Sequence, residues 1–354
     1  MRIGLNGYFL GLSETGSGQY TSNLLYELRE LGVAVDVIGP PSAGNLRKLW
    51  FEHVEVPKAA LSRGVDVLHV PYLGPPLFRL RPTVVTVHDL ILLVLPEHRG
   101  SWQVRLYTKL ALMAVRFADL VIADSECTRQ DLVRWAGIPS DKIRVIYLGV
   151  ERRFRPVVDQ GALAAMRNRY GLDERYIFYI GGLDWRKNVV TLLRAYAALE
   201  NAPVLAIAGK PHSSDRGLYP DLPALARELG IEERVRFLGR VPEEDKPLLY
   251  AGASLFVFPS RYEGFGLTPL EAMACGTPVI CSRAASLPEV VGDAAILFDP
   301  TDVHGLVEAM NAVLSDRTLA AELRHRGIKR ASRFSWRRTA EETLAAYRAV
   351  HLPK

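Results

Sequence analysis

The chain has 354 residues, 49% hydrophobic and 23% charged, and carries a formal net charge of +5. That length is too great for one comfortable core and suits two domains, and the composition excludes long disorder and solenoid repeats. A charge of +5 is modest here; it does not point to nucleic acid, and an anion-binding cleft, attraction to an anionic membrane or plain solubility each accounts for it.

The N-terminus, Met1-Arg-Ile-Gly-Leu-Asn-Gly, enters a strand at Arg2 to Leu5 without the apolar core and small-residue cleavage site of a signal peptide. A cytoplasmic location is expected, with the inner face of the plasma membrane as a variant of it. A glycine-rich loop and a helix from about Gly18 to Leu31 follow. Strands are predicted at Val33 to Ile38, Val65 to Val70 and Thr83 to Val87, the last two valine-rich as buried parallel strands are. A long helix should cover Ser101 to Phe117, a strand Leu120 to Ala123, a helix Ser125 to Trp135 and a strand Ile143 to Ile146. The apolar run from Leu110 to Ala123 holds Arg116 and Asp119 and should not span a bilayer.

Glu151 to Asp159 reads as a linker, after which the alternation restarts. Strands are predicted at Tyr176 to Ile180, Val204 to Ala208, Val235 to Leu238, Leu255 to Phe258, Pro278 to Cys281 and Ala295 to Phe298, separated by helices. Such alternation gives two doubly wound, Rossmann-like parallel sheets, residues 1–158 and 159–334, with ligands at strand carboxyl ends and the natural site in the cleft between the domains. The helical tail 335–354, with Trp336, Leu344 and Tyr347, is placed back on the first domain. Cys127, Cys275 and Cys281 lack CxxC spacing and read as buried or semi-buried thiols, not as disulfides or a zinc site; no metal site is expected.

Four strand-to-helix junctions carry candidate chemistry. In Gly16-Ser-Gly-Gln-Tyr20, glycines before a helix let a phosphate approach backbone N–H groups, or merely form a turn. Thr21 stands where a dinucleotide fingerprint wants Gly or Ala, which disfavours a nicotinamide site, and no P-loop motif occurs. His88, in Thr86-Val-His-Asp-Leu90, follows a strand and either points into the crevice or is a satisfied structural histidine; Asp124-Ser125-Glu126 is similar or only a helix cap. Arg186 and Lys187, after Gly181-Gly182, suit a diphosphate leaving group or an exposed basic turn. Pro259 to Glu271 combines a glycine segment, a helix start and two carboxylates, Glu263 and Glu271. A glycosidase pair would explain the carboxylates but not the glycines or the cations.

The Glu263–Glu271 spacing resembles the EX7E motif of retaining glycosyltransferases of family 4, which have the GT-B fold. Pro259 to Val279 carries the likeness most specifically, joined by Gly16-Ser-Gly-Gln-Tyr, Val87-His-Asp-Leu, Ala123-Asp-Ser, Gly181-Gly with Arg186-Lys-Asn188, and Leu238-Gly-Arg-Val241. The resemblance implies that Lys187 and Arg186 bind the donor diphosphate, that Glu263 and His88 face the transferred sugar, and that Gly16 and Gly18 lie near the phosphates. It further implies that Gly264, Phe265, Gly266 and Leu267 offer backbone groups to the sugar and phosphate, that Glu271 holds the ribose, and that Arg240 and Val241 flank the base. Many relatives have arginine where Gly182 stands, so either Arg186 supplies that charge or Lys187 acts with less help.

The implied enzyme is a hexosyltransferase using a GDP- or UDP-hexose, with GDP-mannose favoured by the Arg-Lys-Asn form. The acceptor is a hydroxyl of a glycan, glycolipid or small molecule. No Asp-x-Asp occurs, which fits a metal-independent reaction, and no cofactor beyond the donor is required. A nucleotide-sugar epimerase, an NAD-dependent oxidoreductase and a non-catalytic sugar-binding protein are the rivals. Trp102, Arg105, Tyr107, Lys109 and Arg116 fit either an ordinary surface helix or one that contacts a membrane.

Overall fold

The computed structural model describes residues 1–12, 15–39, 45–210 and 217–351. Residues 13–14 of the glycine-rich loop and 352–354 of the predicted tail lie outside the described residues. The chain forms two compact units, Met1–Gly149 with Phe334–Lys354, and Val150–Arg333.

The first unit is built on six parallel strands, β1 Arg2–Asn6, β2 Ala34–Ile38, β3 Val67–Val70, β4 Thr83–Val87, β5 Leu120–Ala123 and β6 Ile143–Val145, in the order β2-β1-β3-β4-β5-β6. Both faces of this sheet are covered, so its strands are near-continuously apolar. One face packs Val85, Val87 and Val121 against Leu112, Val115 and Leu132 of helices Trp102–Phe117 and Glu126–Ala136. On the other, Leu68 and Val70 meet Phe51, Val56 and Ala60. The register pairs Val87 with Ala123, so the next residues of the two strands, His88 and Asp124, emerge side by side.

The second unit repeats the plan with β7 Tyr176–Ile180, β8 Val204–Ala208, β9 Val235–Gly239, β10 Leu255–Phe258, β11 Val279–Ser282 and β12 Ile296–Phe298, in the order β12-β11-β10-β7-β8-β9. The chain winds from β7 outward to β9, then returns to β10 on the other side of β7. The loops after β7 and β10 therefore diverge at a topological switch point, where a ligand crevice forms in open sheets of this kind.

Two differences from the predicted elements have physical causes. The first helix spans Gly16–Glu30, beginning two residues early because Thr15 caps it, its Oγ1 accepting from the Gly18 N–H at 3.0 Å. Residues Asn45–Ser62 form an unpredicted helical stretch with a π-helical turn at Phe51–Glu55. That turn rotates the fully buried Glu52 inward to the Tyr107 hydroxyl, breaking the 3.6-residue pattern. Tyr107 is half-buried by this contact, whereas Arg116 is exposed and its guanidinium donates to the Ala136 carbonyl. Helix Trp102–Phe117 does expose Trp102, Leu106, Met113 and Phe117 alongside Arg105 and Lys109. No helix among the described residues is long and apolar enough to cross a membrane.

The tail helix, Trp336–His351, packs on the first unit with Trp336 and Tyr347 buried and Leu344 half-buried. Thr339 Oγ1 donates to the Tyr147 carbonyl at 2.8 Å. The Tyr347 hydroxyl lies 2.6 Å from His69 Nδ1, and His69 Nε2 lies 2.9 Å from Thr86 Oγ1. Burial pushes the His69 imidazole down to about 3, so it is neutral. Tyr347→Phe would leave a buried ring nitrogen unpaired and is expected to cost about 1–3 kcal/mol, read as a lower urea midpoint.

Candidate active site

In the second unit, β7 ends at Ile180 and the chain reaches a short 3-10 turn, Trp185–Lys187. Asp184 caps this turn by accepting from the Arg186 N–H at 3.1 Å. Asn188 follows in the left-handed region at φ 57°, which Asn tolerates better than most side chains. Its Nδ2 donates to the carbonyls of Pro259 and Pro300 at 3.0 and 2.8 Å, tying the loop after β7 to the loop after β10.

That tie brings the two cations onto Glu263. Lys187 Nζ lies 2.6 Å and Arg186 Nη1 3.0 Å from the same oxygen, Glu263 Oε1, which also accepts from Ser260 Oγ at 2.5 Å. Arg186 also donates to the Tyr262 carbonyl, and Lys187 stands 5.1 Å from the centre of the Phe258 ring. Arg186 brings a second positive charge to this carboxylate. Burial raises the Glu263 carboxyl, but the Lys187 and Arg186 charges outweigh it and hold it below the usual carboxylate range. The cluster thus holds two cations against one carboxylate oxygen in a shielded place, ready to exchange that partner for a stronger anion.

The loop past Glu263 is clamped from behind. Ser286 Oγ donates to the carbonyls of Glu263 and Phe265 at 2.9 and 2.6 Å, and Ser282 Oγ donates to the Ser260 carbonyl. Gly264, Phe265 and Gly266 are buried and Leu267 is half-buried. Gly266, at φ 117°, occupies backbone space that L side chains rarely enter and leads directly into helix Leu267–Ala274. Glu271 lies in that helix, 7% exposed, with the Tyr250 hydroxyl donating to Oε2 at 2.8 Å. Burial raises its carboxyl to about 7, against the opposing pull of Lys246 and the Tyr250 hydrogen bond. Arg240, exposed, and Val241, buried, follow β9 on the same carboxyl edge of the sheet.

The first unit holds the remaining predicted residues. Gly16 opens the first helix, while Gly18 is dictated by packing: a Cβ there would stand 2.0 Å from the Leu12 carbonyl oxygen. Its N–H is taken by Thr15. His88 Nδ1 lies 2.5 Å from Asp124 Oδ2, and Nε2 lies 3.0 Å from the Pro71 carbonyl. Both partners accept, an arrangement that favours the doubly protonated ring. Burial pulls the imidazole down, but Asp124 outweighs it and raises it above the usual histidine range. Ser125 caps the following helix by accepting from the Thr128 N–H. Sequence reasoning assigned nothing to Ser260, Ser282, Ser286 or Tyr250; single hydroxyls at those spacings carry no signal until the loops are folded.

Residues 165–334 match the family described as Glycosyl transferases group 1, and residues 15–154 match Glycosyltransferase Family 4. The O-antigen chain mannosyltransferase B of Escherichia coli is 36% identical over 285 residues, covering 79% of this chain and 74% of that one. The chain belongs to glycosyltransferase family 4. This glycosyltransferase is also 36% identical over 234 residues to a D-inositol 3-phosphate glycosyltransferase of Mycolicibacterium smegmatis, covering 65% of this chain and 52% of that one. It spans only 33% of the length of the serotype-specific mannosyltransferase WbdA of Escherichia coli, at 32% identity over 275 residues. Sucrose-phosphate synthase from Thermosynechococcus elongatus has the same two-sheet architecture, with a TM-score of 0.81, 25% identity and 99% of each chain covered. The fold is GT-B.

Proposed function

We propose that this glycosyltransferase moves a mannosyl unit from GDP-mannose to a hydroxyl of a growing glycan, with retention at the anomeric carbon and without a metal ion. The observation that carries the donor assignment is the convergence of Arg186 and Lys187 on Glu263 at the β7/β10 switch point. A nucleoside diphosphate arriving there would take both cations from the carboxylate. Two fixed positive charges then meet the charge that develops on the leaving diphosphate, the task a metal ion performs elsewhere. Glu263, released from its partners, faces the sugar; Glu271 accepts from the ribose hydroxyls; Arg240 and Val241 flank the base. The backbone of Gly264 to Leu267, with Gly16, serves the sugar and phosphates, whereas the Gly18 N–H is already held by Thr15.

The transition state is oxocarbenium-like, and the departing phosphate oxygen takes the acceptor proton. No dedicated base is needed. In this reading His88 is a cation that orients the sugar from the first unit. Two relatives named as mannosyltransferases support mannose as the sugar, and the O-antigen chain in the name of one supports a polysaccharide as the acceptor.

Incubation with GDP-mannose, UDP-glucose and other UDP-hexoses plus a mannose-terminated oligosaccharide, followed by mass spectrometry, tests the donor. Extension from GDP-mannose is expected, undiminished by EDTA, with an α linkage from the α-linked donor by NMR. Extension from UDP-hexoses alone would overturn the donor assignment, a β product would overturn retention, and loss of activity in EDTA would overturn metal independence.

A further inference from the structure

A cavity of about 590 Å³ opens on the second unit at the edge of the sheet opposite the candidate active site. Arg175, Ser254 and Pro278, each the residue just before β7, β10 or β11, form one wall. Val313, Leu314 and Ser315, the end of helix Val303–Ser315, form another. Arg317, Ala320, Ala321 and Arg324 of helix Arg317–Ala331 complete it. The strands between this cavity and the loops bearing Lys187 and Glu263 are four or five residues long, about 13–17 Å.

Three features of this cavity select an anion. Three arginines, Arg175, Arg317 and Arg324, line it and no acidic residue does. Nearby Asp316 spends its carboxylate on the N–H groups of Thr318 and Leu319, at 2.8 and 3.0 Å, as the cap of its own helix. Arg317 and Arg324 stand seven residues apart on one helix flank, about 10 Å along the axis. Ala320 and Ala321 between them keep the floor of the cradle low. Arg175 is oriented by donating to the Leu314 carbonyl at 3.1 Å, and Ser254 and Ser315 add hydroxyls. Arginines remain charged at any working pH and present planar donor forks that match phosphate oxygens. Nothing in the donor chemistry uses them.

We infer that this cavity is a second anion site, taking a phosphate-bearing group clamped between Arg175, Arg317 and Arg324 and remote from the sugar donor. Two sources supply that chemistry, a free phosphorylated anion and a phospholipid headgroup. Calorimetric titration of the full chain with inorganic pyrophosphate at low salt, paired with sedimentation on phosphatidylcholine vesicles with and without phosphatidylglycerol, separates them.

Pyrophosphate binding that persists in Lys187→Ala, weakens at least about tenfold in the double variant R317A/R324A and recovers in part in R317K/R324K would establish the site for free anions. Retention on phosphatidylglycerol vesicles lost in R317A/R324A, without pyrophosphate binding, would establish it for headgroups. Both variant sites are on the solvent side of their helix, so unchanged glycosyl transfer by R317A/R324A checks the fold. Pyrophosphate binding abolished by Lys187→Ala and untouched in R317A/R324A, with vesicle retention equally untouched, would overturn the inference, as would absence of binding to either probe. Failure of the donor reading has a different signature, normal turnover in Lys187→Ala.

Discussion

Lys187→Ala is expected to lower kcat/KM for glycosyl transfer by on the order of a hundredfold or more. The reason lies in what Lys187 is doing before substrate arrives. Its ammonium sits 2.6 Å from Glu263 Oε1, against the Phe258 ring, with a side chain only 12% exposed. Burial pulls that ammonium down and the Glu263 charge opposes the pull, so the site holds a cation that gains from any stronger anion. A diphosphate is such an anion, and it becomes stronger as the glycosidic bond breaks. The loss should therefore appear mainly in kcat, with a smaller change in donor KM, because the interaction grows toward the transition state. Lys187→Arg keeps the charge but not the compact point geometry and should recover only part of the rate. Steady-state kinetics with varied donor reads both numbers. Wild-type turnover in Lys187→Ala would remove Lys187 from the chemistry.

The partner change has a related consequence for Glu263. It is the counter-ion for both cations, so replacing it strips two buried charges of their partner at once. A fall in activity in a Glu263 variant would therefore mix lost sugar contact with a disordered Arg186-Lys187 turn. Lys187 is the cleaner probe because its removal leaves Arg186 on the carboxylate.

The strands were legible because their chemistry is one-dimensional. Short valine-rich runs such as Thr83–Val87 and Leu255–Phe258 need only a buried parallel sheet to explain them. The Glu263–Glu271 spacing was legible for a similar reason, since a strand end, a glycine at positive φ and a helix start occur in strict succession. What was not legible depends on contacts between distant segments. Asn188 joins two loops across 71 and 112 positions of sequence through carbonyls that any residue possesses. Ser286 reaches back 23 and 21 positions in the same way. Asp124 looked like a helix cap because Ser125 beside it is one, and only the Val87–Ala123 register puts it against His88. The stretch Asn45–Ser62 escaped because its π-turn sends a carboxylate, Glu52, into the core, which a hydrophobic-periodicity argument counts as a surface position.

Donor affinity is expected to weaken as pH falls through about 7, and Glu271 is the group responsible. Burial pushes its carboxyl up to about 7, so near neutrality the ligand-free protein carries a mixture of acid and carboxylate. Folding alone favours the acid: the folded value lies above the ordinary 4.5, so the group's contribution to stability is present in acid and is lost as pH rises through about 7. Donor binding pulls the other way, because a carboxylate accepts from both ribose hydroxyls while a carboxylic acid retains a proton that one of them must avoid. Below about pH 7 the donor must therefore drive ionisation as it binds, and its KM should rise toward about tenfold per pH unit. Glu271→Gln removes the titration and should flatten this profile, with donor KM raised by about ten- to a hundredfold above neutrality and kcat changed less. Titration of His88 would instead move kcat and would survive in Glu271→Gln, so the two histories are separable in one set of pH profiles. A wild-type donor KM that is level between about pH 6 and 8 would remove the ribose role from Glu271.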